Sequence, residues 1–241
     1  MNLNIHAAGD PNAPAIVFLH GAGIAGWMWE PQFNMLAPRF RCIAPDLPGH
    51  GESRAVEWTS IADTAAQIAA SIREQAGDKA HVVGLSLGAQ VAMQLLNDAP
   101  EVVDHAVLSG LRLIRSKMLE HMTGLTASLM KFDFLVRASA KSTVPKNYVE
   151  RFVTDAKRMS PATLQKAGDD SIRFEAPPHL ARVKALTLAV AGEKELGLVK
   201  QSLAIAARAL PHAQACIAPR VGHVWSMEAP ALFNRVGLKH G

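Results

Sequence analysis

Six short apolar runs punctuate the chain: Ala15–Leu19, Arg41–Ala44, His81–Val83, Val103–Ser109, Ala185–Ala191 and Ala213–Ile217. The first ends in a glycine turn and the second stops at Pro45. Runs this short, bounded by turn residues, predict buried strands. Between them, apolar positions recur at helical spacing. Ile61, Ala65, Ile68, Ala69 and Ile72 follow Ser60-Ile61-Ala62-Asp63, which resembles a capping box with Asp in place of the usual Glu. Leu87–Ala99 is a second predicted helix, closed by Pro100, and Leu198–Leu210 is a third. Ala231–Leu238 closes the chain. Strands alternating with helices predict a mainly parallel sheet covered on both faces.

One stretch breaks the alternation. Residues 112 to about 180 carry no strand pattern. They hold Met118, Leu119, Met122, Leu125, Leu129, Met130, Phe132 and Leu135, then a helical segment from Tyr148 to Met159. This predicts a core made of residues 1–111 and 185–241, interrupted by a helical insertion at 112–184. The Met and Leu positions pack onto the core, and they also suit an adaptable apolar wall over a pocket, since Met is flexible and polarizable. Met118 and Met122 are the candidates to touch a bound molecule.

Composition narrows the class. With 241 residues, 49% hydrophobic and 19% charged, the chain has the mix of a single soluble globular domain. The net charge is +4, and the insertion alone carries +7 against −3 for the rest. Its basic residues are scattered among apolar ones, so they read as a solvated helical surface rather than a nucleic-acid footprint. A preference for anionic substrates is the sharper reading of that charge. Two distant cysteines, Cys42 and Cys216, form neither a disulfide framework nor a metal-ligand spacing. No basic n-region precedes the first apolar run, and no stretch reaches the length of a membrane span. A cytoplasmic protein without membrane or nucleic-acid partners is expected.

The candidate chemistry centres on Gly84-Leu85-Ser86-Leu87-Gly88, between a predicted strand and a predicted helix. That is the context of a nucleophile elbow, in which a tight turn exposes the serine at a helix N-terminus. A serine hydroxyl needs an adjacent base. Among ten histidines, His223 lies in a loop after the last predicted strand. His81 and His105 begin or precede strands, His121 and His179 fall in the insertion, and His240 is near the tail. A carboxylate must orient the histidine. Glu193 and Glu195 both follow the strand Ala185–Ala191, giving the chain order Ser, Glu, His.

His20-Gly21-Ala22-Gly23, Asp46–Ser53, Gly84–Gly88 and Gly222-His223 with Glu228-Ala229-Pro230 follow one another along the chain, and in this order the four motifs resemble the α/β-hydrolase superfamily, in its capped esterase, lactonase and C–C hydrolase group. His20-Gly21-Ala22-Gly23 is similar to the family's oxyanion loop, and Asp46–Ser53 to its D-x-x-G-x-G-x-S loop. Gly84–Gly88 is the elbow, and Gly222-His223 with Glu228-Ala229-Pro230 resembles the C-terminal histidine block. The resemblance implies Ser86 as nucleophile and His223 as general base. It places the acid three residues after Gly192, at Glu195, where most relatives have Asp; Glu193 remains the competitor. It also implies oxyanion donors from the backbone N–H groups of Ala22 and Leu87, loop-shaping roles for His20 and His50, and a capping role for the insertion. Trp27 and Trp29 should begin a helix packed on the core, with Trp27 within reach of substrate. Only one strand fits before the oxyanion strand, within Asn2–Ala7, so about seven strands are expected. Cys42 and Cys216 would lie far apart in that sheet.

The implied activity is hydrolysis of an ester-type bond in a small, largely apolar substrate through an acyl-enzyme, without metal or organic cofactor. A C–C hydrolase or lactonase with the same triad, an acyltransferase, and a non-catalytic ligand-binding protein of this fold are the alternatives. A monomer and a homodimer are equally compatible.

Overall fold

The computed structural model describes residues 3–116 and 132–239. Its sheet has seven strands: β1 (Ile5–Ala8), β2 (Ala15–Leu19), β3 (Arg41–Pro45), β4 (Ala80–Leu85), β5 (Val103–Ser109), β6 (Leu186–Gly192) and β7 (Ala213–Ala218). Their order is β1-β3-β2-β4-β5-β6-β7, and only β1 runs antiparallel to its neighbour. Among the described residues the helices are α1 (Glu30–Leu36), α2 (Ile61–Gln75), α3 (Leu87–Asp98), α4 (Asp133–Thr143), α5 (Val149–Arg158), α6 (Pro161–Arg173), α7 (Gly197–Ala209), α8 (Trp225–Glu228) and α9 (Pro230–Lys239). The α/β architecture expected from the apolar runs, and the seven strands implied by the family resemblance, are those observed. Cys42 on β3 and Cys216 on β7 are free thiols.

Side-chain alternation along the strands divides the core in two. Val17 and Leu19 of β2 join Val82 and Leu108 in a layer under α2, α3 and α7. Ile16 and Phe18 join Val83, Val107 and Val190 in a layer shared with Trp29, Trp225 and Phe233. The capping box of α2 is half made. Ser60 Oγ accepts the Asp63 N–H at 3.0 Å, but the Asp63 carboxylate turns to Thr59 Oγ1 and Gln67 Nε2. Asp is one methylene shorter than the Glu that would reach back to the N-cap amide.

Among the described residues, those between β5 and β6 form helices and no strand. Helix α5 was legible from its apolar spacing. Helices α4 and α6 were not, although Ser160-Pro161 is a readable start: Ser160 Oγ accepts the Thr163 N–H at 3.0 Å. Two tryptophans tie these helices to the sheet domain. Trp27 follows the first loop in a short 3₁₀ turn, and its indole N–H donates to Asp155 of α5. The Trp27 ring is buried, stacked on Tyr148 with centroids 5.7 Å apart, and Arg151 lies over it. Trp58 donates to Asp170 of α6 at 2.9 Å. The methionine wall expected from Met118 and Met122 lies outside the described residues.

A buried carboxylate organises the loop after β3. Asp46 Oδ1 accepts from Gly26 N–H at 2.8 Å and pairs with His6 Nε2 at 3.1 Å. Its Oδ2 accepts from Asn4 Nδ2 at 2.9 Å and Glu52 N–H at 3.0 Å. Burial pushes this carboxyl up, but the His6 bond, the nearby imidazole of His20 and the two backbone donors outweigh it and hold it well below the usual range. A depressed carboxyl stabilises the fold above its unfolded value near 3.9, and that contribution is lost as pH falls toward the native value. The hydrogen bond to Asp46 raises His6, so its share is present below about pH 6.5 and fades as pH rises. Asp46→Asn is expected to cost at least about 2 kcal/mol at pH 7 and to flatten the acid limb of the stability profile, read by urea denaturation between pH 3 and 7.

Candidate active site

Strand β4 ends at Leu85 and α3 begins at Leu87, leaving Ser86 alone to reverse the chain. Its backbone lies at φ 56°, ψ −114°, a region costly for any residue with a Cβ. Three bonds hold it there. The Ser86 N–H donates to the Ser109 carbonyl at 2.9 Å, and the Ser86 carbonyl accepts from Ala89 and Gln90 N–H at 3.0 and 3.1 Å. The flanking glycines are steric requirements. A Cβ on Gly84 would stand 2.3 Å from the Gly88 carbonyl oxygen, and one on Gly88 would stand 2.1 Å from that of Leu19. As the first residue of α3, Leu87 has an N–H with no acceptor inside the helix. Gly21 packs against the elbow, a Cβ there standing 3.6 Å from Ser86 Cβ, so Ala22 follows in a loop beside the serine.

His223 lies in the loop between β7 and α8. Its Nδ1 is 2.6 Å from Glu195 Oε2, which makes Nδ1 the protonated nitrogen and leaves the Nε2 lone pair free to act as a base. Glu195 Oε1 accepts the Gly192 N–H at 3.0 Å, so both carboxylate oxygens are engaged. The Glu195 side chain is 1% exposed and that of His223 42%, so the acid is buried behind a ring that faces the open. Glu193 points elsewhere: its Oε2 accepts the Arg220 N–H at 2.7 Å. Backbone bonds lace the two loops together, Glu193 N–H to Ala218 and Lys194 N–H to Val221. Glu228 accepts the Gly222 N–H at 3.2 Å.

Ser86, Glu195 and His223 line one cavity of about 330 Å³, with Gln90, Arg112 and Lys194 among its other walls. Trp27 does not line it; its ring is taken up by Tyr148, Arg151 and Asp155. His20 is fully buried, with Nδ1 on the Gly21 carbonyl and Nε2 accepting the Leu47 N–H, and burial lowers its basicity. His50 Nδ1 lies 2.9 Å from the Pro48 carbonyl, and burial pulls its pKa down to about 3. Both rings thus brace loops as neutral imidazoles.

Two site roles are not visible in the sequence pattern, those of Ser109, the last residue of β5, and of Gly110 after it. The Ser109 carbonyl takes the elbow N–H, and its Oγ takes the indole N–H of Trp225, two residues after His223. Gly110 has φ 63°, and a Cβ there would stand 2.7 Å from His223 Cε1. A glycine directly after an apolar run was the available signal. Arg112 was also missed. Its guanidinium donates to the carbonyls of Ile114, Ser171 and Ile172, pinning the end of α6 over the cavity, and burial lowers its pKa.

A family model described as the alpha/beta hydrolase family matches residues 16–236. A pimeloyl-[acyl-carrier protein] methyl ester esterase of Nitrosomonas europaea is 37% identical over 105 residues, 44% of this chain. The chain spans 40% of that relative's length in this match. The crystal structure of a 2-hydroxy-6-oxo-6-phenylhexa-2,4-dienoate hydrolase from a Rhodococcus species superposes with a TM-score of 0.79 at 25% identity, covering 99% of this chain and 94% of that one. The enol-lactonase of Burkholderia xenovorans shares the fold, with a TM-score of 0.81 at 18% identity over 99% and 95% of the two chains.

The His223–Glu195 bond has a spectroscopic signature. A low-field Nδ1–H proton resonance is expected for the native chain. It should vanish in Glu195→Gln and survive in Glu193→Gln. Gly110→Ala should shift or broaden it, because the added methyl displaces the ring.

Proposed function

The chain belongs to the alpha/beta hydrolase family, and on that premise we propose that it is a serine hydrolase acting on ester-type bonds of small molecules. The observation that carries this reading is the convergence of Ser86, His223 and Glu195 on one cavity, with His223 bonded to the buried acid through Nδ1. Ser86 Oγ attacks the substrate carbonyl while His223 Nε2 takes its proton. Glu195 holds the ring in the Nδ1–H tautomer and stabilises the imidazolium. The Leu87 and Ala22 N–H groups receive the developing oxyanion; one such donor is typically worth about 2.7–4 kcal/mol. His223 then protonates the leaving group, and a water molecule repeats the cycle on the acyl-enzyme. In this reading the helices between β5 and β6 form a cap over the site.

The cavity volume suits a small substrate. Its described wall combines the apolar side chains of Leu196 and Val199 with the polar ones of Gln90, Arg112, Ser171 and Lys194. These polar groups come from loop and helix ends, which periodicity does not reveal. We assign the apolar wall to the acyl body and the Lys194 side to a polar or anionic end of the substrate.

Ser86→Ala should abolish labelling by a fluorophosphonate probe and lower turnover of short p-nitrophenyl esters by roughly 10⁴-fold or more. Glu195→Gln should reduce turnover far more than Glu193→Gln. Undiminished turnover by the Ser86 variant would overturn the reading. Absence of any ester, lactone or thioester turnover by the native chain would favour a ligand-binding role.

A further inference from the structure

At the far end of β4 and β5 the parallel ladder carries an irregularity. Ala80 pairs with Val103 and Val82 with Ala106, so one residue of β4, His81, faces two of β5, Asp104 and His105. Strict alternation would send Asp104 and His105 to opposite faces of the sheet. The extra residue breaks that alternation and re-aims a side chain, as bulges do. Three ligand-type atoms meet as a result. His105 Nδ1 lies 3.2 Å from His81 Nδ1 and 2.9 Å from Asp104 Oδ2, and His81 Nδ1 lies 3.4 Å from that same oxygen.

We propose that His81, Asp104 and His105 form a binding site for a divalent transition-metal ion of the zinc, nickel or copper(II) class. Metal–ligand bonds of about 2.0–2.1 Å at the tetrahedral angle set ligand atoms about 3.3 Å apart, the spacing found here. The donor set, two imidazoles and one carboxylate, favours these ions over calcium or magnesium. The hydrogen bonding leaves a donor shortage that an ion would fill. Only one N–H fits between two Nδ1 atoms 3.2 Å apart, and both the other nitrogen and Asp104 Oδ2 compete for it. A cation satisfies all three lone pairs at once.

The surroundings fit this role. Lys79 Nζ holds the other oxygen of Asp104, Oδ1, at 2.9 Å and so fixes the carboxylate with Oδ2 turned to the imidazoles. The Phe40 ring packs nearly perpendicular to the His81 ring, with centroids 6.3 Å apart. The three side chains are 26–39% exposed, which leaves a path for entry and a fourth position for water. Both rings also border an apolar cavity of about 180 Å³ walled by Phe18, Leu36, Val107 and Phe233. His81 stands at the start of β4 and Ser86 just past its end, roughly 16 Å along the strand. The ion would therefore clamp β4 to β5 and take no part in the chemistry at Ser86. The sequence gives no ligand spacing because His81 and Asp104-His105 belong to different strands.

The test uses the full chain without a polyhistidine tag, stripped with a chelator. Calorimetric titration with Zn²⁺ is expected to show one ion per chain. His81→Ala and His105→Ala should each weaken binding by about tenfold or more, with ester turnover retained. Electron paramagnetic resonance of the Cu²⁺-loaded native chain should show two imidazole nitrogens, a readout that does not depend on any variant folding. Absence of saturable Zn²⁺ binding, unchanged affinity in both variants, or a copper spectrum with fewer than two nitrogens would overturn the proposal.

Discussion

The backbone of Ser86 is the constraint on which the rest of the site depends. A residue with a Cβ held at positive φ costs on the order of 1–3 kcal/mol, and such a conformation persists only when its surroundings over-determine it. Here they do. The Ser109 carbonyl takes its N–H, the first turn of α3 takes its carbonyl, and Gly84 and Gly88 let strand and helix approach to distances no side chain would allow. The parallel sheet supplies the rigid frame. Buried on both faces, it fixes where β4 ends, and thereby where the hydroxyl stands.

Around that point the fold places supports instead of further reactive groups. Asp46, His20 and His50 are buried, and each is bonded to loop backbone near the elbow. Their shifted basicity follows from burial and local bonding, and it keeps His20 and His50 neutral, so they brace without titrating near neutral pH. Trp27 and Trp58 play a similar part for the helices between β5 and β6, each spending its single indole donor on a carboxylate of that segment.

Much of this is legible in the amino-acid sequence itself. The inner strands β2 to β6 announced themselves because they are apolar runs buried over most of their length, and the elbow because its glycines are sterically required. Other features were hidden for definable reasons. Helix α4 has only two buried positions, Val136 and Ala140, too few to make a stripe. The choice between Glu193 and Glu195 depends on which carboxylate the β6–α7 turn aims at His223, and both residues look alike in a linear sequence. Gly110 was passed over because its requirement comes from a ring 113 positions away in the chain. The meeting of His81 with Asp104 and His105 depends on a slip in register, which no single-strand pattern records.

Ser109 carries a consequence for how the molecule fails. Its carbonyl holds the serine turn and its hydroxyl holds Trp225, the anchor of the histidine loop. The two halves of the site therefore share one short length of chain at the sheet's centre, between β4 and β6. Neither half has a private fraying route. On heating, the loss of function and the melting of the sheet should coincide as one cooperative event, without a warm regime in which an intact shell encloses a dead site.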